Sequence, residues 1–120
     1  MAAHNDTGSN GEKLAGTFLE NKGYSVLETN WRFKNLEADI IATINKTLVI
    51  AEVKTRKSNY FGEPETFMNK QKQKNLIKTA HAYIIRNQLD MDVRFDIISI
   101  ILGDNQMKIN NIEDAFYPLV

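Results

Sequence analysis

The stretch LEADIIATINKTLVIAEVKTR, residues 36–56, decides the fold. Both halves are rich in Ile, Val, Leu and Thr, and Asn45-Lys46 divides them. It therefore reads as two strands, 36–44 and 47–55, folded back on a two-residue turn. In such a hairpin Ile44 meets Thr47 and Ala42 meets Val49, which carries the register on to Asp39 opposite Glu52. A four-residue loop about the same dipeptide would keep this register, whereas a three-residue loop would send Asp39 to the other face. Glu52 and Lys54 lie two apart, so they share a face with Ile50 while Ala51, Val53 and Thr55 take the other.

Taken singly, each charged residue has an ordinary reading. Asp39 would be a strand-edge residue, and Glu52 with Lys54 a same-face ion pair worth little. Together they put three ionisable groups on one face of a hairpin otherwise built from aliphatic residues. Like charges directly opposed on a sheet destabilise it unless something neutralises them, and a divalent cation beside Lys54 would do so. The chemistry this suits is metal-assisted phosphodiester hydrolysis. Mg²⁺ takes one or two carboxylates and leaves its other positions to water and phosphate. Asp39 and Glu52 would be the metal ligands. Lys54 would orient water or stabilise charge developing on the phosphate.

Upstream, Ser9-Asn10-Gly11-Glu12 has the form of a capping box, opening a helix with Leu14, Ala15, Phe18 and Leu19 on one stripe and Gly23 as its stop. Residues 1–8 read as a disordered tail and 9–120 as a single domain. Residues 24–30 read as a first strand. Downstream come a loop, RKSNYFGEPET (56–66), and a helix over 68–87 with Leu76, Ile77, Ala80, Tyr83 and Ile84 at helical spacing. A strand, VRFDIISIIL (93–102), a turn at 103–105, a short strand over 106–112 and a helical turn at 113–116 complete an α-β-β-β-α-β-β order.

The composition is that of a soluble globular domain: 120 residues, 42% hydrophobic and 25% charged. Without cysteine there are no disulfides or thiolate metal sites. No apolar run approaches the ~20 residues of a membrane span, and the first residues lack a signal-peptide core, so the expectation is a cytoplasmic protein with no membrane partner. Net charge is zero, which argues against a plain nucleic-acid-binding module. From Lys54 to Lys78, however, seven cations face two acids, leaving +5 on that segment.

Asp39…Glu52-Val53-Lys54 resembles the PD-(D/E)XK nuclease signature, and the element order resembles that superfamily's core. A closer resemblance is to the YraN family of bacterial proteins, predicted endonucleases related to archaeal Holliday-junction resolvases. It rests on GEKLA (11–15), LEADIIA (36–42), IAEVKTR (50–56), FG (61–62), LIKTAHAYI (76–84), RFD (94–96) and AF (115–116). The resemblance implies an α/β, restriction-endonuclease-like αβββαβ(β) core, a mixed central sheet flanked by helices. It implies Mg²⁺ (or Mn²⁺) as cofactor, and DNA as substrate, including branched or damaged structures. Cutting a symmetric junction would want a homodimer, and the Ile-rich strand 97–101 is the edge that could supply it. One departure is Leu36, where the family carries glycine.

The resemblance also adds Glu12 and Lys72. Glu12 matches a helix glutamate placed near the metal, although it is also the third helical residue of the expected capping box. Lys72 lies four before Leu76, in line with the apolar face, whereas Lys70, Lys74 and Lys78 fall opposite and should be solvated. Lys72 is thus the expected phosphate contact, the ordinary alternative being a snorkelling lysine. Arg56, Lys57 and Tyr60 would meet the nucleic-acid backbone and a base, with Phe61 either joining them or packing under its own loop. Glu37 could be an outer ligand. Asp96 reads as structural, and neither His4 nor His81 as a ligand. The alternatives are a domain of the same fold that binds nucleic acid or protein without cutting, and an inert domain whose acidic pair is split across faces.

Overall fold

The computed structural model describes residues 3–118, with side chains from Asn10 onward. The elements are α1 (Ala3–Asn21), β1 (Ser25–Phe33), β2 (Leu36–Ile44), β3 (Thr47–Lys57), α2 (Lys70–Asn87), β4 (Asp92–Leu102) and β5 (Met107–Ile112). The strands form one sheet in the order β1-β2-β3-β4-β5. Every pairing is antiparallel except β3 with β4, which run parallel because α2 carries the chain across between them. This is the mixed sheet of a restriction-endonuclease-like core.

The hairpin forms as its sequence dictates. Asn45 and Lys46 adopt φ of 48° and 65°, the left-handed pair of a two-residue turn whose twist matches that of the strands. Partners run from Ile44↔Thr47 to Ile40↔Ala51. Leu48 and Ile50 consequently face α2, while Val49 and Ala51 face α1. On the α2 side Leu76, Ala80 and Tyr83 pack with Ile41, Ile50, Phe95 and Ile97. On the other side Ala15 and Leu19 of α1 pack with Ile40, Val49, Ile98 and Ile100.

Several boundaries differ from the sequence reading. Helix α1 starts at Ala3, so residues 3–8, expected as tail, are helical, and Ser9 is inside the helix rather than its N-cap. Its other end is as expected: Gly23, at φ 94°, lets the Gly23 and Tyr24 amides return to the Glu20 and Leu19 carbonyls. Strand β3 runs on through Arg56 to Lys57. Asn69 caps α2 by accepting the Lys72 amide at 2.8 Å, which starts the helix at Lys70. Residues 113–116 form a non-helical turn, with Asp114 at φ 53°. Strand 97–101 is not an edge either, since β3 and β5 flank β4 on its two sides.

Asp96 is structural, as its motif suggested. It is fully buried and takes two hydrogen bonds from Arg94, at 2.8 and 2.9 Å, and one from the Asp114 amide. Arg94 also donates to Tyr24 at 2.6 Å, so the pair ties the C-terminal turn to the loop after α1. Leu36, where a glycine was expected, opens β2 opposite Phe33 and does not have positive φ, so its side chain brings no backbone strain.

Candidate active site

The regular β2–β3 ladder stops at Ile40↔Ala51, one pair before Asp39 would meet Glu52. Hydrogen-bonded pairs alternate from the turn, so Val53 would next donate to Ala38. Instead the Val53 amide donates to Asp39 Oδ2 at 2.8 Å, and the first half of β2 stays with β1. A side-chain carboxylate thus takes the place of a main-chain carbonyl where the two strands part. Asp39 is held there, half-buried, beside Glu52. The turn has two residues, Asn45 and Lys46, so the odd loop that would shift Asp39 to the other face does not form.

Burial pushes the Asp39 carboxyl above the ordinary carboxylate range. The Val53 amide and the Lys72 charge oppose that shift, while Glu52 and Glu37 add to it. Glu52 Oε1 is paired with Lys72 Nζ at 2.9 Å. Lys72 is the half-buried lysine of its helix, and Lys70, Lys74 and Lys78 are exposed, as the helical spacing predicted. Burial opposes the Lys72 charge, but the hydrogen bond and attraction of Glu52, followed by Asp39 and Glu37, outweigh it and raise its pKa. A cation in the first turn of a helix runs against the helix dipole, and Glu52 offsets that conflict.

Lys54 is buried, 9% exposed, and donates to the main-chain carbonyl of Phe67. Burial lowers its pKa below that of a free lysine; Glu52 and Glu63 counteract this, and Arg56 and Lys72 reinforce it. Glu52, Lys54, Arg56, Glu63 and Lys72 line one cavity of about 270 Å³ with Phe67, Met68 and Asn69. Its outer wall is the 58–69 loop, pinned to the sheet by the Phe67 carbonyl on Lys54 and by Ser99, which donates to Glu65. Neither anchor was legible in the sequence, because neither loop residue belongs to a periodic pattern.

Glu12 approaches from α1. Burial raises its pKa first, then the charge of Asp39, with Arg32 opposing and Glu37 adding. The approach depends on Gly11: a Cβ there would lie 2.5 Å from Thr55 Oγ1, so only glycine lets the helix sit this close to β3. With α1 beginning at Ala3, Glu12 is not the third residue of a capping box, and its proximity to Asp39 is what remains of the two expected roles.

Arg56 and Lys57 end β3, Arg56 half-buried and Lys57 exposed. The Arg56 guanidinium lies 4.9 Å from the centre of the Tyr60 ring. Tyr60 is about half exposed, and Phe61, the ring the sequence left undecided, is 95% exposed. His81 is an exposed residue of α2.

The donor set suits a hard cation. Among the described residues, Asp39 Oδ1 and Glu52 Oε2 carry no hydrogen bond or ion pair, and the repulsion between the two carboxylates would be relieved by a divalent ion. Among those residues, too, no three Asp, Glu or His side chains form a cage, so the protein would supply one or two ligands and leave the rest to water and substrate. No helix among the described residues is long and apolar enough to cross a membrane.

Comparison with known proteins agrees with the motifs. A family model described as "Uncharacterised protein family UPF0102" matches residues 11–100, which contain Glu12, Asp39, Glu52, Lys54 and Lys72. UPF0102 protein FP2501 of Flavobacterium psychrophilum is 50% identical over 98% of both chains. UPF0102 proteins of Christiangramia forsetii and Bacteroides thetaiotaomicron are 44% and 42% identical, each again over 98% of both chains. This chain belongs to the UPF0102 family, the YraN proteins whose motifs it carries.

Proposed function

We propose that the protein is a metal-dependent endonuclease that hydrolyses phosphodiester bonds in DNA. The observation that carries this reading is the half-buried Asp39 carboxyl held beside Glu52 where β2 and β3 part, with Lys54 and Lys72 lining one cavity with Glu52. Asp39 and Glu52 would hold Mg²⁺ or Mn²⁺, with Glu12 and Glu37 acting on the same centre through their charges. The ion supplies Lewis-acid polarisation of the phosphate and acidifies water. Lys54 brings its ammonium to the cavity floor, where it stabilises negative charge growing on the phosphate. Lys72 exchanges Glu52 for a phosphate oxygen when the substrate enters. Arg56 and Lys57 continue the cationic track along the strand exit, with Tyr60 stacked on Arg56.

A second reading is a domain of this fold that binds nucleic acid or a protein without cutting. It is favoured by the internal engagement of the key cations, Lys54 with the Phe67 carbonyl and Lys72 with Glu52, and by the zero net charge. A labelled panel of single strand, duplex, flap, four-way junction and RNA, incubated with Mg²⁺ or Mn²⁺, separates the two. Cutting by wild type and not by Lys54→Ala supports the nuclease. Binding without cutting, or equal cutting by both proteins, supports the second reading.

A further inference from the structure

Among the described residues, three of the seven exposed large hydrophobic side chains, Tyr60, Phe61 and Phe67, belong to the single loop between β3 and α2. Scattered apolar residues on a surface are ordinary; three in one loop against the candidate active site are not. The loop is tied down at its base. Ser58 donates to the Leu102 carbonyl at 2.9 Å, Tyr60 to the Lys57 carbonyl at 3.0 Å, and Glu65 is held by Ser99. Between these ties Tyr60 lies over Arg56 on one side and over Gly62 on the other. A Cβ at Gly62 would fall 2.2 Å from the Tyr60 hydroxyl, so the glycine makes room for that ring. With Tyr60 occupying the space against the protein, Phe61 has none, and it projects almost wholly into solvent.

A second cavity, of about 290 Å³, lies at the foot of this loop, lined by Arg56, Lys57, Ser58, Tyr60 and Gly62 among others. It shares Arg56 and Glu63 with the cavity of Glu52, Lys54 and Lys72. A strand whose phosphate reached Lys54 and Lys72 would therefore continue past Arg56 and Lys57 to the projecting ring. A paired base has both faces covered in the duplex stack, whereas an unpaired base has a face to offer a phenyl ring.

We infer that Phe61 is a stacking platform for an unpaired nucleobase, so that the substrate is a strand with unpaired nucleotides beside the scissile phosphate rather than continuous duplex. The inference rests on the nuclease reading for the phosphate's position, and on loop geometry for the base. Together the two cavities are lined by Lys54, Arg56, Lys57 and Lys72 against Glu52, Glu63 and Glu65, an excess of one cation that favours a phosphate-bearing partner over a purely apolar one.

The test is fluorescence anisotropy in EDTA, which prevents cleavage, with a labelled duplex and the same duplex carrying a short unpaired flap. Wild type is compared with Phe61→Ala, Phe61→Leu and Phe61→Trp; the side chain is exposed, so these variants keep the fold. Wild type should prefer the flap. Ala and Leu should weaken flap binding by about five- to a hundredfold, leave duplex binding unchanged, and Trp should restore it. Equal flap binding by wild type and Leu, or equal losses on flap and duplex, would overturn the inference while leaving a Lys54-dependent nuclease intact. A Phe61-dependent flap preference without Lys54-dependent cutting would refute the nuclease and keep the platform. Self-association in sedimentation that Phe61→Ala abolishes would assign the ring to a second copy, and overturn it.

Discussion

Asp39→Asn offers the sharpest trial of the acidic centre, because two of its effects have opposite signs. In the metal-free protein the Asp39 carboxyl sits above the ordinary range although the Val53 amide and Lys72 both favour its charge. Burial, Glu52 and Glu37 therefore outweigh those favourable contacts, and ionised Asp39 destabilises the native state. Asparagine keeps an oxygen for the Val53 amide and removes the charge. Relief of one opposed like-charge pair is worth up to about 1 kcal/mol. For a domain of this size that is a rise of roughly 4 °C in Tm, measured in EDTA. The sign with pH follows. A raised folded pKa means that the native chain keeps this proton to higher pH than the unfolded chain does. The advantage of asparagine is therefore full above the folded value, fades as pH falls through it, and is gone below the unfolded value of about 3.9. With Mg²⁺ at a hundredfold excess over its Kd, wild type should gain about 2.7 kcal/mol, roughly 10 °C, and the variant should gain little. The order of the two melting temperatures should thus invert between EDTA and Mg²⁺. A variant that melts below wild type in EDTA, or shows the same Mg²⁺ shift, refutes Asp39 as a strained metal ligand.

Lys72→Met releases Glu52 from its 2.9 Å ion pair, and should tighten Mg²⁺ binding several-fold by calorimetry while changing stability by less than about 1 kcal/mol. The same change should flatten the salt dependence of DNA binding by about one unit of slope; Lys74→Met should do neither, and parallel effects would sink the helix-face argument. Asp96→Asn keeps an oxygen for the Asp114 amide but removes the buried negative charge and the second acceptor that Arg94 uses, and should lose about 3–5 kcal/mol in urea unfolding. A loss under about 1 kcal/mol would show that the pair is not what holds the C-terminal turn.

The hairpin register, the shared face of Glu52 and Lys54, and the inward aim of Lys72 were all legible along the chain. The reason is local: strand faces alternate every two residues, helix faces recur every 3.6, and a two-residue turn leaves no freedom of register. Asn45-Lys46 and Leu76-Ile77 carried that information on their own. Where α1 begins was not legible, since Ser9-x-x-Glu12 looks the same whether a helix starts there or is already running. Strand 97–101 could not be recognised as interior because its Ile-rich pattern suits either place, and only the pairing of β5 covers it.

What tertiary structure alone decided are contacts between a side chain and a distant main chain. Asp39 replacing a ladder carbonyl for Val53, and Lys54 holding the Phe67 carbonyl, use backbone groups that every residue carries, so no residue pattern announces them. The same holds for the loop, where the packing of Tyr60 against Arg56 and Gly62 turned Phe61 outward. The sequence determined which groups share a face; three-dimensional packing determined which of them are already engaged and which project to meet a partner.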